Sequence, residues 1–132
     1  MLQAFITPFE QLNDFQRVRE LQKTSPFHLQ IAGCIDSGLV HMMSLASDGF
    51  KHRIILTFSE QKAREIYEDM RFFDSDTYYY PAKDFIFYNA DIHNKVILTE
   101  RMKALKALTS PNPVTIVTTI DGLMDKLAPS HM

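Results

Sequence analysis

Cysteine is almost missing from this sequence. Cys34 stands alone in 132 residues, which excludes an internal disulfide and any zinc site built from cysteine pairs. The histidines His28, His41, His52, His93 and His131 are scattered without H-x-x-x-H spacing, so no metal centre is expected. No apolar run approaches the roughly 20 residues of a membrane span. An excess of positive charge is also lacking: fourteen basic residues face sixteen acidic ones, for a formal charge of −2. That balance argues against a self-sufficient DNA-binding module relying on phosphate neutralisation. The start, Met1-Leu2-Gln3-Ala4-Phe5, carries no basic region followed by an apolar stretch and cleavage site, and a cytoplasmic location is the expectation. No internal repeat, low-complexity tract or linker divides the chain. What remains is ordinary for a folded domain, 45% apolar and 23% charged, and the length suits one domain spanning 1–132.

The most informative stretch is Gly33-Cys34-Ile35-Asp36-Ser37-Gly38-Leu39-Val40, which has the glycine spacing of a phosphate-binding loop. In a working loop, G-x-x-x-x-G-K-[ST], backbone N–H groups close around phosphate, the lysine neutralises it and the hydroxyl holds Mg²⁺. Here Leu39 replaces the lysine and Val40 the hydroxyl. Asp36 adds a negative charge that repels a triphosphate. No nucleotide is expected to bind at Gly33, Asp36, Ser37, Gly38, Leu39 and Val40, and no metal site or catalytic residue is assigned.

Thr7-Pro8-Phe9-Glu10 reads as a capped helix start, with Phe9, Leu12, Phe15, Val18 and Leu21 at helical spacing until Ser25-Pro26. This leading helix, 1–25, is expected to pack on the domain. Phe27–Ala32 reads as a short strand into the glycine loop, and Ser37–Ser47 as the helix after it. Arg53–Phe58 has the β-branched apolar content of a buried strand, and Ser59 caps a helix with the stripe Ala63, Ile66, Tyr67, Met70 and Phe73. Thr77–Tyr80 reads as a strand, Lys95–Leu108 as a helix and Val114–Thr118 as a buried strand. A short helix with Leu123, Met124 and Leu127 ends the pattern, and residues 128–132 read as a truncated or cloning-derived tail. Such alternation specifies an open, mostly parallel α/β sheet with helices on its faces and right-handed crossovers.

Several segments in this order resemble one family. They are Gly33–Val40, Ile54–Phe58 followed by Glu65–Met70, Tyr80-Pro81-Ala82-Lys83-Asp84-Phe85-Ile86-Phe87-Tyr88, Glu100-Arg101 with Leu105, and Ile116–Leu123. Nearly the whole chain is similar to the amino-terminal part of the bacterial transcription-repair coupling factor family. The resemblance implies a RecA-like, UvrB-like helicase domain whose nucleotide site is degenerate, serving as a platform without ATPase activity. It also implies a longer protein that moves on double-stranded DNA, displaces RNA polymerase stalled at lesions and recruits excision repair through UvrA. In that longer protein ATP and Mg²⁺ act at motor domains elsewhere. The UvrA-contacting surface is expected mainly in a small domain after Leu127, so the partners implied for this segment are neighbouring domains of the same chain. UvrB probes DNA with a long tyrosine-rich hairpin, and the residues between Tyr80 and Lys95 are too few to form one.

Other residues carry structural readings. Asp121, after a strand, has the position of a Walker-B carboxylate but lacks a metal-nucleotide to serve, and a capping or surface role is expected. Asp74, Asp76, Asp84 and Asp91 read as turn residues. Cys34 reads as inert, and Met42, Met43, Met70, Met102 and Met124 as core filling. His28 is expected to face solvent or cap a neighbour. Tyr78, Tyr79 and Tyr80 read as a half-buried strand, with base stacking as the alternative. Two alternative functions remain: an active NTPase using atypical residues, and a flavodoxin-like domain for a small ligand or signalling.

Overall fold

The computed structural model of the chain describes residues 3–24, 26–83 and 90–127. They gather into two compact units, Met1–Gly49 and Phe50–Met132.

The first unit is helical: α1 (Gln3–Glu10), α2 (Asn13–Gln22) and α3 (Asp36–Ala46). The apolar spacing expected of one leading helix is divided between α1 and α2. Leu12 takes an extended conformation (φ −79°, ψ 127°) as the residue before α2. Thr7 is therefore not an N-cap, because the helix is already under way from Gln3, and Pro8 lies inside α1. Phe15 and Val18 of α2 and Val40 and Leu45 of α3 are buried; removing a side chain of this size from water is worth about 2 kcal/mol. Gln22 Nε2 donates to the Ala46 carbonyl at 2.5 Å, and Arg19 meets Asp48 at 3.4 Å.

The strand expected at Phe27–Ala32 does not form. A strand exists only when its backbone pairs, and among the described residues no backbone hydrogen bond engages Phe27–Ala32. The loop–helix half of the anticipated strand–loop–helix context is present, and the strand half is not.

The second unit holds the sheet. Strands β1 (His52–Thr57), β2 (Thr77–Tyr80) and β3 (Val114–Thr119) are joined through helices α4 (Glu60–Phe73) and α5 (Ala90–Leu108), and α6 (Ile120–Met124) follows β3. All pairs are parallel, in the order β1-β3-β2. The chain moves two places from β1 to β2 and then one place back to β3, and right-handed crossovers put α4 and α5 on opposite faces. The registers His52↔Val114 and Thr77↔Thr115 fix which side chains share each face. Ile55, Tyr79 and Val117 lie on the α4 side, where Arg64 stacks over the Tyr79 ring at 5.2 Å. On the α5 side Tyr80 and Ile116 pack with Val114 and Ala104. Central β3 is buried along its whole length, as expected of a strand covered on both faces.

Strand β1 forms at the expected Arg53–Phe58, but it is not the buried strand expected, since Ile54, Leu56 and Phe58 are exposed. Other expected elements appear as read. Ser59 caps α4 by accepting the Lys62 N–H at 3.1 Å, and Ala63, Ile66 and Met70 form its buried stripe. The methionine reading needs correction: Met70 is buried, but Met102 and Met124 are exposed. Leu123 and Leu127 are exposed as well, so α6 does not bury the apolar residues expected of it.

Candidate functional site

In the glycine loop, Gly33 has φ 84° and Asp36 φ 47°. Only Gly33 needs glycine's conformational freedom, since aspartate tolerates the left-handed region. Gly38 lies in the first turn of α3 and donates its N–H to the Ile35 carbonyl at 3.1 Å. A Cβ at Gly38 meets nothing within 4 Å, so the glycine spacing does not reflect crowding there. Val40, where a Mg²⁺-binding hydroxyl would stand, is buried in the unit's core, Leu39 is half-buried, and Ser37 is exposed. Cys34 is half-buried, and His28 faces solvent as expected. A groove of about 370 Å³ in this unit is lined by Asp14, Arg17, Val18, Leu21 and Met42 along with residues 29–32. Its one carboxylate, Asp14, stands with Arg17 and has no histidine, cysteine or second carboxylate beside it in the lining.

The densest polar constellation lies at the carboxyl ends of the strands, where an open α/β sheet usually receives its ligand. Glu60, the first residue of α4, reaches across this end. Its Oε1 accepts from Thr119 Oγ1 at 2.8 Å and from the Ala82 N–H at 3.2 Å. Its Oε2 accepts from the Tyr79 hydroxyl. One carboxylate thus joins the start of α4 to the ends of β2 and β3. Burial raises the pKa of Tyr79 above its ordinary value, and the hydrogen bond to Glu60 raises it further. That hydroxyl stays protonated and remains a donor.

Beside it, buried Arg101 from α5 donates to the Pro81 carbonyl and to Asp125 Oδ2, both at 2.7 Å. Its guanidinium also stacks 4.1 Å from the centre of the Tyr80 ring. Lys83 N–H donates to the same Asp125 oxygen at 3.1 Å. Thr118 Oγ1 donates to the Tyr80 carbonyl at 2.7 Å. Gly122 is required by this crowding: a Cβ there would stand 2.6 Å from Thr118 Oγ1 and 3.2 Å from the Tyr80 carbonyl oxygen.

Chemically, this end of the sheet is closed on itself. A carboxylate with three donors, sited at a helix N-terminus, occupies the position an anionic ligand would seek. The capping role expected of Asp121 belongs instead to Thr119, whose Oγ1 accepts the Gly122 N–H at 3.1 Å; Asp121 is exposed. Its surface reading stands. Tyr79 and Tyr80 are buried, which withdraws their rings from base stacking.

At the opposite end of the sheet, Arg53 pairs with Asp74 at 2.5 Å, and Thr115 Oγ1 donates to the same Asp74 oxygen at 2.7 Å. Asp74 also accepts the Asp76 N–H at 3.0 Å. The turn reading holds for Asp74 and Asp76 and fails for Asp91, which lies within helix α5. Asp84 lies outside the described residues.

No family model, curated protein or solved structure matches this chain. Among the described residues no group of three or more His, Cys, Asp or Glu is placed to hold a metal ion, and no helix is long and apolar enough to cross a membrane.

The sequence reading missed Glu60 and Asp125 and did not give Thr119 its role. The signal for Glu60 was its place immediately after an N-cap serine at a strand end. The partners of Glu60 lie far away in the chain, and only the strand register identifies them.

Proposed function

We propose that this chain is a non-catalytic α/β module, serving as a structural and interaction platform within a larger protein. The observation carrying this reading is the Glu60 carboxylate, which takes up the Thr119, Tyr79 and Ala82 donors at the ligand-receiving end of the sheet. The degenerate loop points the same way, with Leu39 and Val40 in place of the phosphate- and Mg²⁺-handling residues. The resemblance to the amino-terminal, UvrB-like part of transcription-repair coupling factors supplies the setting. There the platform holds neighbouring domains and supports UvrA recruitment, while ATP and Mg²⁺ act in motor domains elsewhere in the protein. Isothermal titration with Mg-ATP is the test. No heat of binding is expected, and micromolar affinity would overturn the reading.

A further inference from the structure

A run of uncovered apolar surface follows β1 and its flanks. Phe50 is 41% exposed, Ile54 60%, Leu56 49% and Phe58 82%. Ile54 and Leu56 lie on the sheet face that α5 covers through β2 and β3. Among the described residues β3 pairs on one side of β1 only, and the other edge runs open alongside Ile54 and Leu56. Val114 N–H donates to the Lys51 carbonyl at 2.8 Å, and with the parallel register this assigns the odd-numbered residues of β1 to β3. The N–H and C=O groups of His52, Ile54 and Leu56 therefore point outward. Proteins usually guard such an edge with proline, a bulge or a free charge. Within β1 the one formally charged side chain is Arg53, and it is held by Asp74.

We propose that a second copy of this chain occupies this edge, with β1 pairing antiparallel to β1 of the copy about a two-fold axis at Ile54. The strand is self-complementary in that register. Ile54 meets Ile54 and His52 meets Leu56, so every outward-pointing backbone group faces another, as hydrogen-bonded antiparallel pairs require. Lys51 falls opposite Thr57 and Arg53 opposite Ile55, so no like charges oppose each other across the axis. Phe50 of one copy comes to the end held by Phe58 of the other, which matches the exposed aromatic flanks. The contact is isologous and closes after two chains, giving one continuous sheet across the dimer. A foreign extended peptide would satisfy the same backbone groups, but it does not account for the match between the two halves of the strand.

The test is the solution mass of the whole chain by analytical ultracentrifugation. The expected mass is twice the 15.3 kDa of one chain, with slowed amide exchange at His52, Ile54 and Leu56 as concentration rises. Ile54→Lys sets two like charges against each other on the axis, and the dimer dissociation constant should rise at least about tenfold. Ile54→Glu should do the same, and an equimolar mixture of the two variants should restore the dimer. Circular dichroism confirms that each variant is folded, as expected for an exposed position. A wild-type chain that stays monomeric at its highest soluble concentration overturns the proposal, as does a folded Ile54→Lys variant that dimerises normally. A monomer that gains protection at those three amides only with added extended peptides assigns the edge to a foreign strand and also overturns it.

Discussion

Glu60 shows how one side chain can close a site. Its partners Tyr79 and Thr119 are buried, so Glu60→Ala leaves two buried hydroxyls without their acceptor. A buried polar group left unsatisfied costs about 1–3 kcal/mol. Glu60 itself is exposed, so water reaches the vacated position and a loss of about 1–2 kcal/mol is expected in urea unfolding. Glu60→Gln, which keeps a carbonyl acceptor, should lose less. Equal losses for both variants would show that hydrogen bonding to Glu60 is not what matters. Tyr79 adds a pH signature. Its pKa is raised in the fold, first by burial and then by Glu60, so the folded chain keeps this proton where the unfolded chain, titrating near 10, has lost it. The contribution is complete below about pH 10 and falls as pH rises further. The stability gap between wild type and Tyr79→Phe should therefore narrow above pH 10, and a constant gap would show that Tyr79 titrates alike in both states.

At the scale of elements, legibility followed the range of the interactions involved. Helix α4 was readable because its signals are local: the Ser59 cap and the Ala63–Ile66–Met70 stripe. Strand β3 was readable from its β-branched run and is buried throughout. Phe27–Ala32 carries only one β-branched residue, Ile31, and forms no strand; its apolar content gives a preference, and pairing decides the outcome. The split between α1 and α2 escaped notice because the apolar spacing runs through Leu12 while its backbone leaves the helix. The staple at the sheet's carboxyl end was illegible for another reason: Glu60 and Thr119 touch across 59 positions of sequence. Local capping also gives an element-scale prediction. Ser59→Ala removes the acceptor for the Lys62 N–H and should cost about 1 kcal/mol. Ser59→Asp should recover most of it, and failure of that rescue would show that the hydroxyl acts through another contact.

At the scale of the molecule, the division after Gly49 leaves every strand found among the described residues in the unit Phe50–Met132. That unit carries its own core, centred on fully buried Val117 and Ala104, and both polar staples, Glu60 at one end of the sheet and Arg53–Asp74 at the other. A unit with its own core and its own polar staples has the ingredients of independent folding. A fragment starting at Phe50 should therefore show a single cooperative urea transition with the circular dichroism of an α/β protein. Its stability need not equal that of the whole chain, but the Glu60 staple lies wholly inside it. The cost of Glu60→Ala should then agree between the fragment and the full chain to within about 0.5 kcal/mol, as for sites without shared partners. A fragment without a cooperative transition would show that the sheet depends on residues 1–49. A folded fragment in which Glu60→Ala costs nothing would show that the staple is formed only in the longer chain.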